Sequence, residues 1–290
     1  MQKDSPVKLS RKAYAKINLG LDVVGKLPNG YHELRSIMQQ IDLYDVLTVE
    51  KIPNGIVLTS NVETVPLNEK NLAYKGAKAV LDAAGMQGGI QIHIEKNIPV
   101  EAGMAGGSTD GAMAMILTNE LYGAGLTEAC LCEIGAKLGA DVPFCIKGHT
   151  QLCEGIGELM TPVALQSPLY YCIVKPPEGV STKYVFEQLD SKEYAHPDTE
   201  GILRALQDGD KKALDGLLLN VLAEVTEKEK PEIVAVRQEL KACGAVATLM
   251  SGSGPTVFGI FETLEGAAQA AKEMKEKYPA MFSGAYQSVL

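Results

Sequence analysis

The chain has 290 residues, of which 46% are hydrophobic and 22% charged, a composition typical of a folded globular protein with one or two domains. Its 36 acidic residues outnumber its 27 basic ones, so the net charge is −9, and no basic run is present. These features argue against nucleic acid and anionic membranes as partners. A negatively charged small molecule would be held by local donors, such as helix ends and lysines.

The N-terminal stretch, MQKDSPVKLS, is polar, and no later stretch reaches the roughly 18 apolar residues of a membrane-spanning helix. We therefore expect no signal peptide, no membrane span and a cytoplasmic location. The six cysteines lack Cys-x-x-Cys spacing and mostly lie in apolar runs. We interpret them as buried thiols rather than disulfides or zinc ligands.

Alternating polar and apolar residues from Lys8 to Ile52 predict a strand-rich hairpin with a turn at residues 28–30. Lys16 lies on the first strand, where it is either a solvated charge at a sheet edge or a cation directed into a site. Tyr31 and His32 follow the turn. They either pack over the hairpin or recognise a planar base, for which an aromatic face and a neutral hydrogen-bonding ring are suited.

Helical spacing of apolar residues predicts a helix over residues 71–84 that stops at Gly85. The following segment, residues 89–96, alternates isoleucine with polar residues, which is typical of a half-exposed antiparallel strand.

The next stretch, PVEAGMAGGSTDG (residues 99–111), is rich in glycine and precedes a predicted helix that ends near Tyr122. Ser108, Thr109 and Asp110 have side chains that cap helices. The stretch fits neither a Walker P-loop nor a dinucleotide fingerprint. It is therefore either a simple glycine-rich turn or a phosphate cradle, in which backbone N–H groups and the helix N-terminus hold an anion.

A further helix is predicted over residues 127–138, followed by short strands through Glu154. Asp141 lies between that helix and an apolar stretch interpreted as a strand. It is either a turn aspartate or a general base for a substrate hydroxyl. A turn-rich region at residues 162–168 predicts a division into domains of residues 1–162 and 163–290.

The second half predicts a strand at residues 169–175, several helices, and two strands joined by a second glycine-rich loop, MSGSGPTVF (residues 250–258). A helix over residues 264–277 and a last strand follow. This loop is either a tight connection or part of a composite site. The whole pattern predicts an α+β protein of two domains, with helices packed on mixed, largely antiparallel sheets.

Three stretches in order, AYAKINLGLDV (residues 13–23), PVEAGMAGGSTDGA (99–112) and LMSGSGPTVFG (249–259), resemble the three motifs of the GHMP small-molecule kinases. The stretches NGYHELRSIMQQIDLYD and KLGADVPFCIKGHTQLCEGIGE resemble the subgroup that phosphorylates 4-diphosphocytidyl-2-C-methyl-D-erythritol. The resemblance implies the two-domain GHMP kinase fold. It also implies that phosphate passes from ATP, bound as Mg-ATP, to the 2-hydroxyl of this alcohol in the non-mevalonate pathway to isoprenoid precursors.

The resemblance also implies roles for individual residues. The catalytic pair falls on Lys16 and Asp141, and substrate binding falls on Asn18, Tyr31, His32 and Phe186, with Tyr184 as the alternative second ring. No tightly protein-held metal is expected, and Ser108 is the expected contact to Mg-ATP. The implied ATP-binding residues are Asn71, Lys96, Pro99, Ala102, Gly103, Met104, Ala105, Gly106, Gly107, Ser108 and Thr109.

Glu101 and Ala105 depart from the pattern because glycine is frequent at both positions, and we expect Glu101 to face solvent, away from the phosphates. Two other functions stay open. One is another GHMP kinase, acting on homoserine or a mevalonate-type substrate, and the other is a nucleotide-binding sensor without catalysis. We expect a monomer or a weak homodimer.

Overall fold

The computed structural model describes residues 8–28, 30, 32–189 and 193–290. Their contacts divide the chain into two compact units, each built from separate stretches of sequence. Unit 1 comprises residues 8–15, Leu43–Ile98 and Ala105–Lys147, and unit 2 comprises Lys16–Asp42, Pro99–Met104 and Gly148–Leu290. The division after residue 162 stays a prediction from the sequence.

Two long strands, β1 (Lys8–Lys26) and β2 (His32–Ile52), pair with each other, and each contributes residues to both units. The predicted hairpin is therefore confirmed. Unit 1 continues with β3 (Gly55–Ser60), α1 (Leu72–Ala83), β4 (Gly89–Glu95), α2 (Gly106–Tyr122), α3 (Glu128–Ala136) and α4 (Val142–Lys147).

The alternating strand β4 pairs antiparallel with β2, as expected, and parallel with β3. Its three isoleucines, Ile90, Ile92 and Ile94, are fully buried against α1 and α2. Those two helices approach closely at Gly76, where a Cβ would stand 2.6 Å from the carbonyl oxygen of Gly111. This packing fixes the first turns of α2 within unit 1.

Unit 2 contains β5 (Thr150–Gly155) and β6 (Leu159–Pro162), which extend antiparallel from β2. A four-stranded antiparallel sheet has the order β10-β7-β9-β8. The remaining elements of unit 2 are β7 (Tyr170–Lys175), α5 (Thr182–Leu189), α6 (Thr199–Asp208), α7 (Ala223–Glu229), α8 (Pro231–Ala242), β8 (Ala247–Met250), β9 (Val257–Phe261), α9 (Leu264–Lys277) and β10 (Phe282–Gln287). The predicted α+β class is confirmed.

The strand predicted directly after Asp141 is wrong, because Val142–Lys147 forms the short helix α4. Its first four residues are all buried, and a short, continuously apolar run reads the same for a buried strand and a buried helix. Pro143 fits the first turn of a helix, where its missing N–H has no intrahelical partner to lose.

Candidate active site

The helix α2 begins without a side-chain cap. Its N-cap is Ala105, which has a φ of 55° and offers no side-chain hydrogen bond. The first intrahelical bond runs from the Thr109 N–H to the Ala105 carbonyl at 2.9 Å. The prediction that Ser108, Thr109 and Asp110 cap this helix is therefore wrong, because all three lie inside it. The N–H groups of residues 106–108 precede the intrahelical ladder and can donate to an anion.

The loop before α2 takes the left-handed conformation at Glu101 (φ 52°), Gly103 (φ 69°) and Ala105 (φ 55°). Glu101 and Ala105, the two departures from the glycine-rich motif, thus adopt a backbone conformation that glycine takes without steric cost. Glu101 is exposed, in agreement with expectation. Its carboxylate lies against Gly179 of unit 2, where a Cβ would stand 2.7 Å from Oε2.

In unit 1, the start of α2 lies close to the turn that carries Asp141. The Ser108 Oγ is 4.0 Å from the position that a Cβ on Gly139 would take. Asp141 is half-buried and leads into α4, with its carbonyl accepting the Cys145 N–H at 3.0 Å. Unit 1 therefore brings the proposed Mg-ATP contact and the turn of the proposed general base together.

Asn71 caps α1 in unit 1. Its Oδ1 accepts the Ala73 N–H at 2.8 Å, and its Nδ2 donates to the Pro66 carbonyl at 2.7 Å. The side chain is buried, so these two hydrogen bonds fix the first turn of α1 inside the fold.

Lys96 is buried in unit 1, with its ammonium on two carboxylates. Nζ lies 2.5 Å from Asp45 Oδ2 and 2.7 Å from Asp110 Oδ2. Burial lowers the pKa of Lys96, but the two carboxylates outweigh it and raise that pKa above its usual value. Burial raises the pKa of Asp110 to about 8, although Lys96 opposes the shift. The ammonium of Lys96 is therefore bound within the protein.

In unit 2, Lys16 is buried, with only 4% of its surface exposed, which excludes the alternative of a solvated charge at a sheet edge. Its Nζ donates to Asn18 Oδ1 at 2.8 Å. The Asn18 amide in turn donates to Ser36 Oγ at 2.8 Å, and the Ser36 hydroxyl donates to the Gly20 carbonyl at 2.6 Å. This chain of hydrogen bonds fixes the direction of both predicted site residues.

The three sequence motifs meet within unit 2. The Lys16 N–H donates to the Met104 carbonyl at 3.1 Å, and the Ser251 hydroxyl donates to the Gly103 carbonyl at 3.0 Å. The backbones are so close that a Cβ on Gly103 would stand 2.6 Å from the Ser251 carbonyl oxygen. Both glycine-rich loops are therefore joined to β1, as a composite site requires.

An aromatic pair lies at the start of β2. The rings of His32 and Phe186 stack with centroids 4.8 Å apart and planes 25° from parallel. Tyr184 is exposed and bonds to Glu229 through its hydroxyl. Phe186, rather than Tyr184, is thus the ring beside His32. Tyr31 lies outside the described residues.

Sequence reasoning missed Ser36, Asp45 and Ser251 as individual residues. Ser251 lies inside the third motif, LMSGSGPTVFG, and its hydroxyl is the feature from which it could have been predicted. Asp45 lies in an ordinary alternating strand, and only the fold places it beside Lys96. Among the described residues, no group of three or more His, Cys, Asp or Glu side chains is arranged to hold a metal ion.

Comparison with known proteins agrees with these motifs. Residues 71–149 match the model of the GHMP kinases N terminal domain, and residues 202–280 match that of the GHMP kinases C terminal. The 4-diphosphocytidyl-2-C-methyl-D-erythritol kinase of Clostridium botulinum (strain Alaska E43 / Type E3) is 47% identical over 272 residues, which is 93% of this chain and 97% of that protein. This chain belongs to the 4-diphosphocytidyl-2-C-methyl-D-erythritol kinase family. A family member from Caldicellulosiruptor bescii is 46% identical, covering 91% of this chain and 93% of its own length.

Solved structures extend the comparison. A crystal structure of 4-(cytidine 5'-diphospho)-2C-methyl-D-erythritol kinase has a TM-score of 0.82 and 33% identity, covering 96% of this chain and 99% of that one. A homoserine kinase from Cytophaga hutchinsonii has a TM-score of 0.80 at 19% identity, covering 100% and 96%, and so shares the fold alone. The predicted GHMP kinase fold is confirmed. No helix in the described ranges is long and apolar enough to cross a membrane.

Proposed function

We propose that this chain transfers the γ-phosphate of ATP to the 2-hydroxyl of 4-diphosphocytidyl-2-C-methyl-D-erythritol. The observation that carries the proposal is the meeting of the three family motifs through Lys16, Met104, Gly103 and Ser251 in unit 2. The identity of 47% over nearly the whole chain supports the same substrate.

For the nucleotide, the proposed donors are the N–H groups of residues 106–108 at the uncapped start of α2. These donors lie within the stretch of residues 99–109, which is proposed to bind ATP. Asn71 and Lys96 are also proposed to lie on the nucleotide side of the site. Magnesium is proposed to arrive with ATP, where it neutralises phosphate charge, with the Ser108 hydroxyl as its protein contact. Ser108 is only partly buried, which fits this role.

For the acceptor, Asp141 is proposed to take the proton of the 2-hydroxyl as the new P–O bond forms. A tertiary alcohol has a high pKa, so complete deprotonation before attack is unfavourable at neutral pH. Lys16 is proposed to stabilise the charge shared by the nucleophile and the transferring phosphoryl group. Its ammonium is already aimed by Asn18, so little reorganisation is needed during the reaction.

For the cytosine, Phe186 and His32 are proposed to supply a stacking surface and edge hydrogen bonds, together with Tyr31. A site whose polar groups depend on one base rejects bases that leave them unpaired. We also propose a cytoplasmic enzyme that is a monomer or a weak homodimer and acts without nucleic acid or membrane partners.

The substrate assignment is tested by competition. The cytidyl alcohol, homoserine and mevalonate are supplied together at equal concentration with Mg-ATP, and the phosphorylated products are separated by mass. We expect phosphate on the cytidyl alcohol only. Transfer to homoserine or mevalonate would make this chain another kind of GHMP kinase, and ATP binding without any transfer would favour the sensor.

A further inference from the structure

Three charged side chains form a buried cluster in unit 1, defined here as the Lys96 cluster: Asp45 of β2, Lys96 after β4, and Asp110 in α2. The side chains of Asp45, Lys96 and Asp110 are 0%, 6% and 4% exposed. One ammonium therefore joins three elements at a point that water scarcely reaches. Such an arrangement is costly unless every partner is present, because a single removal leaves a buried charge unpaired.

The cluster touches the chain on both sides of the glycine-rich loop of residues 99–105, defined here as the proposed phosphate loop. Asp45 Oδ1 accepts the N–H groups of Asn97 at 2.6 Å and Ile98 at 2.8 Å, the two residues that lead into Pro99. On the other side, a Cβ on Gly106 would stand 3.0 Å from Lys96 Nζ. The ammonium is thus packed directly against the first residue of α2.

Asp110 adds an electrostatic reason for the lysine. Within the described chain, its Oδ1 has no hydrogen-bond partner, while its Oδ2 depends on Lys96. Asp45 and Asp110 meet at one ammonium, so without Lys96 two carboxyl groups would share a site that water scarcely reaches. Lys96 holds the two carboxyl groups together and ties Asp110, and with it the first turns of α2, to β2.

We propose that the ammonium of Lys96 is a positioning group for nucleotide binding, which acts through Asp45 and Asp110 and does not itself touch the nucleotide. The inference rests on the proposed binding of ATP at this loop. In this account the ammonium fixes the direction of the N–H groups of residues 106–108 from inside unit 1. Loss of the lysine lets the start of α2 shift and leaves the carboxyl groups of Asp45 and Asp110 buried without a cation.

The test is a double-mutant cycle on Lys96→Met and Asp110→Ala, with the Kd of Mg-ADP measured by isothermal titration calorimetry. We expect Lys96→Met to weaken binding about tenfold or more, which is about 1.4 kcal/mol or more. Asp110→Ala should remove much of that effect, so that the double variant binds better than the product of the two single effects predicts. Additive effects would overturn the inference, because a lysine that contacted the nucleotide directly would not depend on Asp110.

Steady-state kinetics give a second readout. Lys96→Met should raise the KM for ATP while the KM for the cytidyl alcohol changes less than about threefold, a split that general loss of folded protein would not produce. If Lys96→Met does not fold, the neutralised pair Lys96→Met with Asp110→Asn replaces it. A smaller rise, still confined to the KM for ATP, is then expected, because the tie between α2 and β2 is lost but the two carboxyl groups are no longer both present. A rise in both KM values together would contradict a positioning role.

Lys78→Met is the matched control, because Lys78 is an exposed lysine of unit 1 that is paired with Asp82 at 2.6 Å. It should leave the Kd of Mg-ADP unchanged. Wild-type protein that fails to bind Mg-ADP would refute the proposed function itself. Wild-type binding together with unchanged binding in Lys96→Met would refute only the inference.

Discussion

At the scale of single residues, the proposed chemistry depends most on Asp141. Replacement by asparagine keeps the shape of the side chain but removes the proton acceptor. We expect Asp141→Asn to lower kcat by about 10²- to 10⁴-fold, the usual worth of a general base, with the Kd of Mg-ADP nearly unchanged. Rapid-quench measurement of the transfer step, with calorimetry for binding, checks this. Turnover near that of the wild type would remove Asp141 from the role of base.

Phe186 tests the cytosine site separately. Its ring stacks on His32, and removal takes away a surface on which a base can stack, worth about 1–3 kcal/mol. We expect Phe186→Ala to raise the KM for the cytidyl alcohol at least about fivefold and to leave the KM for ATP unchanged.

Tyr184→Phe is the control for Phe186→Ala, because it keeps the neighbouring ring and removes only the hydroxyl that bonds Glu229. It should change neither KM. An effect of Phe186→Ala confined to the KM for ATP would mean that the two substrate sites have been assigned in reverse.

The sequence proposes these residues for the site but does not predict their surroundings. A lysine on an alternating strand is predicted to be solvated. Only the fold shows that the Lys16 N–H donates to the Met104 carbonyl and that its ammonium donates to the Asn18 side chain in the protein interior. The same holds for Lys96, whose two carboxylates lie 51 and 14 residues away along the chain. Local patterns cannot report pairings over such separations.

At the scale of elements, the loop of residues 99–105 holds strain at Ala105. A left-handed conformation costs a residue with a Cβ roughly 1–2 kcal/mol, and glycine avoids this cost but has more freedom in the unfolded chain. We therefore expect Ala105→Gly to raise the free energy of unfolding by at most about 1 kcal/mol, seen as a rise of a few degrees in Tm.

Ala112→Gly is the matched control for Ala105→Gly, since it makes the same chemical change inside the right-handed part of α2. It should lower the Tm, because glycine costs about 1 kcal/mol in a helix interior. A fall in Tm for both variants would show that Ala105 is not strained.

The elements that could be predicted are those with clear periodicity or punctuation. The glycine-rich loop, α1 with its stop at Gly85, and α9 follow directly from spacing and caps. The start of α2 could not be predicted, because three good capping residues stand in a row at residues 108–110 and the loop starts the helix before them. The short helix α4 could not be told from a buried strand, because its first four residues form a continuous apolar run.

At the scale of the whole molecule, the order of the three motifs along the chain predicted the fold and the family, because such an order is far more specific than any single loop. The division into compact units was beyond local patterns. Each unit combines separate stretches, and residues 99–104 of the proposed phosphate loop belong to a different unit from residue 105 onward. Long-range contacts, not local composition, decide that division.

The most direct test of the account is the identity of the product made by the full chain from Mg-ATP and 4-diphosphocytidyl-2-C-methyl-D-erythritol, followed by ³¹P NMR. We expect a phosphomonoester on the 2-hydroxyl that forms in step with ADP, with the diphosphate left intact. Phosphate on another hydroxyl, or ADP formed with the alcohol unchanged, would contradict it.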